Sequence, residues 1–316
     1  MPEPTILFVD DEPMILNSLR HLFDEDYEVL TADSGRKGLD LLARHDVSVV
    51  VSDQRMPEML GHEFLAQAKA LRPDAIRILL TGYSDIDDTI RSINDGEIFR
   101  YVNKPWQAAK LSETINLAYK LHQKLVSEKN LQARAETLAR FAALPPLPHL
   151  LVIDDNEPRL AQTKALLERQ YDIHVAATPE IAFEILASKP ISVLLMESFR
   201  SGPIDEAEFL TILKTANPDV VSILVSDVRD AELAKRLVNE GSVFRYLIRP
   251  FSNEALKGMV GLAAARAELY LQSPAKNIRR QENDLMGFHA SIQELAHPFP
   301  ELVAKVRRWY ETRKTY

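Results

Sequence analysis

The sequence predicts two α/β domains, each a (βα)5 fold with a doubly wound parallel sheet in the strand order 2-1-3-4-5. Short apolar, β-branched runs alternate with amphipathic stretches, as in TILFV, PMILNSLRHLF, YEVLTA and GRKGLDLLARH. Strands that are covered by helices on both faces read as continuous apolar runs of this kind. The whole pattern then occurs again about 145 residues later, and a repeat of that length indicates duplicated domains.

The strands of each domain can be placed in order. In the first domain, expected over residues 1–124, they are TILFV, YEVLTA, VSVVVS, AIRILL and EIFRYV. In the second, expected over residues 148–271, they are HLLVI, IHVAA, ISVLLM, VVSILV and SVFRYLI. The match in order and spacing makes this a tandem repeat of one fold.

A long helix is predicted across residues 107–146, joining the two domains. It has an apolar stripe at spacings of three and four that includes Leu111, Ile115 and Leu121, and Pro145 ends it. One interpretation is a packing helix that frays into a connector. The other is a coiled coil that would form a homodimer.

The last segment, residues 272–316, no longer matches the repeat and is predicted to be a helical tail. Leu302, Val306 and Trp309 lie on one face of a helix there. A packing helix, a docking helix for a partner, and the start of an output domain all fit this pattern. His289 and His297 are interpreted as surface or packing residues.

Composition excludes several classes of function. The chain has 316 residues, a formal charge of -8 and no cysteine, so thiol chemistry and disulfides are excluded. We expect a cytoplasmic protein without membrane association, because no secretory signal and no spanning apolar run is visible. Nucleic-acid binding is not expected, since Arg307, Arg308 and Arg313 form only a weak basic footprint.

Three carboxylates are expected to converge in the first domain. Asp10 and Asp11 follow the first strand and Asp53 follows the third, and these strands are neighbours at the switch point of the sheet. Like charges at close range repel one another unless a cation neutralises them. The sequence therefore predicts a site for a hard divalent ion, most simply Mg²⁺.

A hydroxyl and an ammonium are expected at the same edge of the sheet. Thr81 ends the fourth strand and Lys104 the fifth. A carboxylate nucleophile, a metal and donors for phosphoryl oxygens are what phosphoryl transfer requires, with the domain itself as the acceptor.

With these residues, the first domain resembles the receiver domain of bacterial two-component response regulators. DDEP, DQRMPEMLG, TG and the KP after FRYVN carry the resemblance. It implies that Asp53 is the phosphoacceptor, with Mg²⁺ held by Asp53, by Asp11 directly, by Asp10 through water and by the backbone carbonyl of Arg55. A sensor histidine kinase would be the phosphodonor.

The resemblance also assigns the switching groups. Thr81 and Lys104 would bind the phosphoryl group, and Tyr101 would turn inward as a rotameric switch, although an aromatic that merely packs at the sheet edge is the alternative. The Lys104-Pro105 peptide would be cis. Gly82 would leave room for the phosphoryl group, and Pro57 with Gly61 would shape the loop after Asp53.

The second copy resembles a degenerate receiver, a pseudo-receiver. Its corresponding residues are Asp154, Asp155, Glu197, Ser226, Asp227 and Arg249. Glu197 is longer than the aspartate it replaces, and Asp227 places negative charge where a dianion would bind. Arg249 is a planar fork instead of a compact ammonium and is expected to pair with Glu197 or Asp227. We expect this copy to be a contact surface.

The expected function is a response regulator that signals to a downstream protein through its linker helix, pseudo-receiver and tail. Its only chemistry would be acceptance and loss of its own phosphoryl group. The alternative is the regulatory part of a larger effector, such as a cyclic-di-GMP phosphodiesterase, because TGYSDIDDTIRSINDGEIFRYVNKPW resembles receivers found with HD-type enzymes. No output enzyme is expected in this sequence, since GGDEF is absent and the letters HD and EAL occur only once each, at 45–46 and 254–256, inside the two repeats.

Overall fold

A computed structural model of the chain describes residues 4–82, 98–135, 147–197, 204–228, 230–241 and 243–287. The chain forms two compact units, residues 1–134 with 230–239, and residues 135–229 with 240–316. The predicted apolar helix face near residue 306 and the two tail histidines lie outside the described residues, as does the linker between residues 136 and 146.

The first unit contains a five-stranded parallel sheet in the predicted order, β2-β1-β3-β4-β5. Its strands are β1 Thr5–Val9, β2 Glu28–Ala32, β3 Val49–Asp53, β4 Ile76–Thr81 and β5 Arg100–Asn103. Its described helices are α1 Pro13–Phe23, α2 Gly35–Arg44, α3 Gly61–Leu71 and α4 Ala108–Ala135.

The core of this unit explains the apolar patterns of the sequence. Every residue of β1 and β3 is buried, as expected for strands with helices on both faces. The apolar stripe of α4 is buried too, since Leu111, Ile115 and Leu121 have no exposed surface. The first half of the long helix is therefore a packing helix of its own unit.

The second sheet has the same order, β7-β6-β8-β9-β10, and is also parallel. Its strands are β6 His149–Ile153, β7 Asp172–Ala176, β8 Val193–Glu197, β9 Val221–Ser226 and β10 Arg245–Ile248. The helices that follow in the chain are α5 Glu157–Leu167, α6 Pro179–Ser188, α7 Glu206–Ala216, α8 Ala231–Arg236, α9 Asn253–Gln272 and α10 Ile278–Leu285. A π-helical turn covers Leu237–Gly241 and a 3₁₀ turn Pro274–Lys276.

The beginning of the predicted tail packs onto the second unit. Asn277 is 1% exposed, and its Nδ2 donates to the Pro218 carbonyl and to Asp219 Oδ1, at 2.9 Å each. Arg280 forms an ion pair with Asp219. These contacts fix α10 to the loop before β9.

Within the described residues, none of the helices is both long enough and apolar enough to span a membrane.

Candidate functional site

The acidic cluster of Asp10, Asp11 and Asp53 forms where two neighbouring strands end. β1 pairs with β3 from Ile6 to Val9, so Asp10, just after β1, and Asp53, at the end of β3, reach the same edge of the sheet. Asp10 is 1% exposed and Asp53 6%, whereas Asp11 is half-buried. The cluster thus holds two buried carboxylates and a third that is open to solvent.

Lys104 joins the two buried carboxylates. Its Nζ lies 2.8 Å from Asp10 Oδ2 and 2.5 Å from Asp53 Oδ1. The second oxygen of each carboxylate accepts a backbone N–H, from Glu12 to Asp10 Oδ1 at 2.9 Å and from Arg55 to Asp53 Oδ2 at 2.8 Å. Each carboxylate is therefore oriented by one cation and one amide.

The other predicted site residues lie on the adjacent strands. Thr81 ends β4, is buried, and donates its hydroxyl proton to the Gly82 carbonyl at 3.2 Å. Tyr101 on β5 is buried, and the Lys104–Pro105 peptide is cis, as the resemblance implied. Among the described residues, a Cβ built on Gly82 meets nothing within 4 Å, so that part of the chain leaves the space next to Thr81 open.

The electrostatics of the cluster suit an added cation. Burial raises the pKa of Asp53, with the charge of Asp10 acting in the same direction and the hydrogen bond and charge of Lys104 opposing it. Burial alone would lower the pKa of Lys104, but its hydrogen bonds to Asp10 and Asp53 outweigh this and raise it. Among the described residues, Lys104 pairs with two of the three carboxylates, so this all-oxygen donor set stays formally negative. That donor set fits a hard divalent ion such as Mg²⁺.

The loop after Asp53 is held by a buried pair that the sequence reasoning missed. Gln54 Nε2 lies 3.0 Å from His62 Nδ1, and the His62 amide donates to Gln54 Oε1 at 3.2 Å. A Cβ built on Gly61 would lie 2.0 Å from the Asp53 carbonyl oxygen. The role predicted for Gly61 thus has a specific cause, the close approach of α3 to the backbone of Asp53.

In the corresponding site of the second unit, two arginines form ion pairs with the carboxylates. Arg249 forms an ion pair with Glu197, as the sequence predicted, and its Nε lies 3.5 Å from Asp227 Oδ1. Arg159, which the sequence reasoning missed, binds both oxygens of Asp154, with Nε at 3.0 Å from Oδ2 and Nη2 at 2.7 Å from Oδ1.

Arg159 also approaches the remaining acids, Asp155 at 3.7 Å and Asp227 at 4.0 Å. The hydrogen bond to Asp154 raises the pKa of the Arg159 guanidinium, and burial raises the pKa of Glu197 although Arg249 opposes this. A guanidinium therefore satisfies the carboxylates that a metal would otherwise contact. The sequence shows only that Arg159 stands five residues after Asp154, where the first copy has Ile15 five residues after Asp10.

A second missed residue is Tyr246, which stands three residues before Arg249, as Tyr101 stands before Lys104. It is 1% exposed, and its hydroxyl donates to the Val228 carbonyl at 3.0 Å. The tyrosine of the second unit is thus held inward by a hydrogen bond.

Comparison with known proteins agrees with the geometry of the first site. The model of the response regulator receiver domain matches residues 6–116. Residues 6–116 form a response regulator receiver domain. The receiver domain is homologous to that of the hydrogenase transcriptional regulatory protein HoxA of Cupriavidus necator, with 40% identity over 116 residues, 37% of this chain and 24% of HoxA.

Two further proteins resemble the receiver domain. The transcriptional regulatory protein GlrR of Escherichia coli is 37% identical over 112 residues, 35% of this chain and 25% of GlrR. The crystal structure of a response regulator receiver domain protein from Clostridium thermocellum is 36% identical and covers 39% of this chain and 98% of that one, with a TM-score of 0.36. The chain thus spans about a quarter of the length of these curated relatives and carries the receiver part of a two-component response regulator.

Proposed function

We propose that this chain accepts a phosphoryl group on Asp53 from a sensor histidine kinase and passes the signal on through protein contacts. The observation that carries the proposal is the position of Asp53, 6% exposed at the C-terminal end of β3 and bound by Lys104 next to Asp10. This arrangement supplies an acceptor carboxylate, a cation for phosphoryl oxygens and an acidic cluster for a metal at one point of a receiver domain.

In the proposed reaction, a carboxylate oxygen of Asp53 attacks the phosphorus of a phosphohistidine. The oxygen–phosphorus bond forms, the nitrogen–phosphorus bond breaks, and the histidine nitrogen keeps the electron pair. Lys104 then pairs with the phosphoryl oxygens instead of the free carboxylate, and Thr81 donates its hydroxyl to them. The open space beside Gly82 accommodates the added group.

Receiver domains typically bind Mg²⁺ at this acidic site, and the residues present fit such an ion. Asp11, Asp53 and the Arg55 carbonyl would be its direct ligands and Asp10 would act through water. When bound, Mg²⁺ supplies charge neutralisation for the phosphoryl oxygens.

Tyr101 is proposed as the reporter of phosphorylation. In the described structure it is buried, and movement of Thr81 and Lys104 toward a phosphoryl group would alter the space around it. The affected face would run through β5 and α4. The predicted helix before β5 falls in residues 83–97, outside the described residues.

The second unit is proposed to be a pseudo-receiver that takes no phosphoryl group and serves as a contact surface for a downstream protein. Arg159 and Arg249 occupy its carboxylates, and Tyr246 is hydrogen-bonded in one position. We propose no output enzyme activity for this chain and a cytoplasmic location, the compartment in which histidine kinases present their phosphodonors.

Labelling with an acyl phosphate as phosphodonor tests the proposal. The wild type and Glu197→Ala should both incorporate one phosphoryl group in the presence of Mg²⁺, and Asp53→Ala should incorporate none. Equal labelling of Asp53→Ala would refute both the acceptor assignment and the pseudo-receiver. Circular dichroism of the three proteins controls for folding.

The mode of output has a separate test, the solution mass with and without a beryllofluoride mimic and Mg²⁺. A mass that doubles only with the mimic would indicate that Asp53 controls a homodimer through the linker helix. A constant mass would favour docking of a different protein.

A further inference from the structure

Three metal-ligating side chains meet at the opposite end of the second sheet from its degenerate receiver site. His149 begins β6, while Asp172 and His174 lie on β7 and face the same side, because side chains alternate along a strand. The two strands pair in parallel with His149 opposite Asp172. The register of β6 and β7 therefore brings three residues of two strands to one point.

The distances among the three ligand atoms are close to those of a metal site. His149 Nδ1 lies 3.0 Å from His174 Nε2 and 3.2 Å from Asp172 Oδ2. His174 Nε2 and Asp172 Oδ2 are 3.8 Å apart. Ligands of a tetrahedral ion at about 2.0–2.1 Å are about 3.3 Å from one another. Each of the three residues thus offers one ligand atom, and these atoms all lie within 4.8 Å of one another.

The surroundings of the cluster also suit a metal. The rings of His149 and His174 lie within 10° of parallel and meet end to end, with centroids 5.4 Å apart and the facing nitrogens 3.0 Å apart. Their side chains are 25% and 16% exposed, while Asp172 is 54% exposed. β7 is the edge strand of the sheet. The ligands are thus positioned by the sheet, yet one side of the cluster opens to solvent and leaves a coordination position for water.

We propose that His149, Asp172 and His174 bind one divalent transition ion of the Zn²⁺ class, with water in the fourth position. Two imidazoles and one carboxylate favour Zn²⁺ over Mg²⁺ or Ca²⁺, which prefer oxygen ligands. The ion would join the beginnings of β6 and β7. This site is independent of phosphorylation at Asp53.

The test measures Zn²⁺ binding to the full chain in excess Mg²⁺, which occupies the acidic cluster of the first unit. Wild type should bind one more equivalent of Zn²⁺ than His174→Ala. His21→Ala is the matched control, because His21 is 83% exposed and 3.9 Å from an aspartate, Asp24, and it should bind as wild type does. Equal Zn²⁺ stoichiometry for wild type and His174→Ala would overturn the proposal.

Three additional measurements distinguish loss of the site from misfolding of the variant. Asp172→Asn is nearly isosteric and exposed, and it should weaken Zn²⁺ binding roughly tenfold or more. Zn²⁺ should also raise the thermal midpoint of wild type and His21→Ala but not that of His174→Ala. Co²⁺ should give the strong visible absorption of a four-coordinate ion; a weak six-coordinate spectrum that survives His174→Ala would contradict the assignment.

Discussion

A single side chain, Arg159, distinguishes the aspartates that follow the first strand of each unit. It binds both oxygens of Asp154, which is 3% exposed, whereas the matching place of the first unit, five residues after Asp10, holds the uncharged Ile15. Asp10 instead pairs with Lys104 and with a backbone amide. One substitution therefore decides whether a guanidinium occupies this aspartate.

The first prediction concerns Arg159→Met, which replaces the guanidinium with an uncharged side chain. Asp154 would lose its counter-charge while remaining buried, and we expect the free energy of unfolding to fall by about 1–3 kcal/mol, discounted because the Arg159 side chain is 31% exposed. Millimolar Mg²⁺ should restore part of the loss. Urea unfolding with and without Mg²⁺ measures both effects. Arg20→Met removes an exposed arginine and is the control; identical midpoints for both variants would contradict the prediction.

The second prediction concerns Gly61→Ala. Its Cβ would lie 2.0 Å from the Asp53 carbonyl oxygen and 2.9 Å from the Gln54 Cα, so backbone atoms must move. We expect a loss of about 1–3 kcal/mol in stability and slower labelling of Asp53. In Gly258→Ala the new methyl group meets nothing within 4 Å on an exposed turn of α9, and stability should rise by about 0.5–1 kcal/mol. Equal stabilities of the two variants would show that the β3–α3 approach is not tight.

At the scale of elements, the third prediction concerns the start of α10. Asn277 Oδ1 accepts from the amides of Arg279 and Arg280, while its Nδ2 binds the Pro218 carbonyl and Asp219. Asn277→Ala should cost about 2–4 kcal/mol, because it removes a helix cap and leaves buried polar groups without a partner. Ser252→Ala removes only an exposed cap of α9 and should cost about 1 kcal/mol. Chemical unfolding compares the two, and equal losses would argue against the docking role of Asn277.

The elements themselves were largely predictable from the sequence. Both sheet orders were predictable, because β-branched apolar runs and short connections leave few topologies for a parallel sheet. The positions of Asp10, Asp53 and Lys104 at the edge of the first sheet were predictable from the ends of the strands. The anchoring of α10 was not predictable, since Asn277 and Pro218 are 59 residues apart and neither belongs to a motif. Arg159 and Asp154 are only five residues apart. An arginine on a helix is ordinarily solvated, however, and the sequence alone does not predict which carboxylate it contacts.

At the scale of the whole chain, the two units differ in how they pair cations with the carboxylates at their strand ends. Both gather carboxylates at the C-terminal edge of a sheet, where burial raises the pKa of Asp53 and of Glu197. The first unit places one lysine between two carboxylates, and the second pairs its carboxylates with two arginines. A duplicated fold thus carries two different arrangements of charge at corresponding strand ends.

The last prediction concerns how the stability of the chain depends on pH. Burial lowers the pKa of Lys214 from 10.5 to about 7, aided by the charge of Arg279 and opposed by Asp219, and its Nζ donates to the Val220 carbonyl at 2.6 Å. Between pH 7 and 10.5 the unfolded chain holds a proton that the folded chain has released. Unfolding then takes up a proton, so the free energy of unfolding should rise with pH in this window.

We expect the contribution of Lys214 between pH 7 and 9 to be on the order of 2 kcal/mol. Tyr27 and Tyr171 act in the opposite sense, because burial raises their pKa, but they do so only near pH 10 and above. Urea unfolding of the second unit at pH 7, 8 and 9 should give a rising slope that Lys214→Met removes. Lys276→Met, which alters an exposed lysine, should keep the wild-type slope. If Lys214→Met also keeps it, Lys214 is not the group that releases the proton on folding.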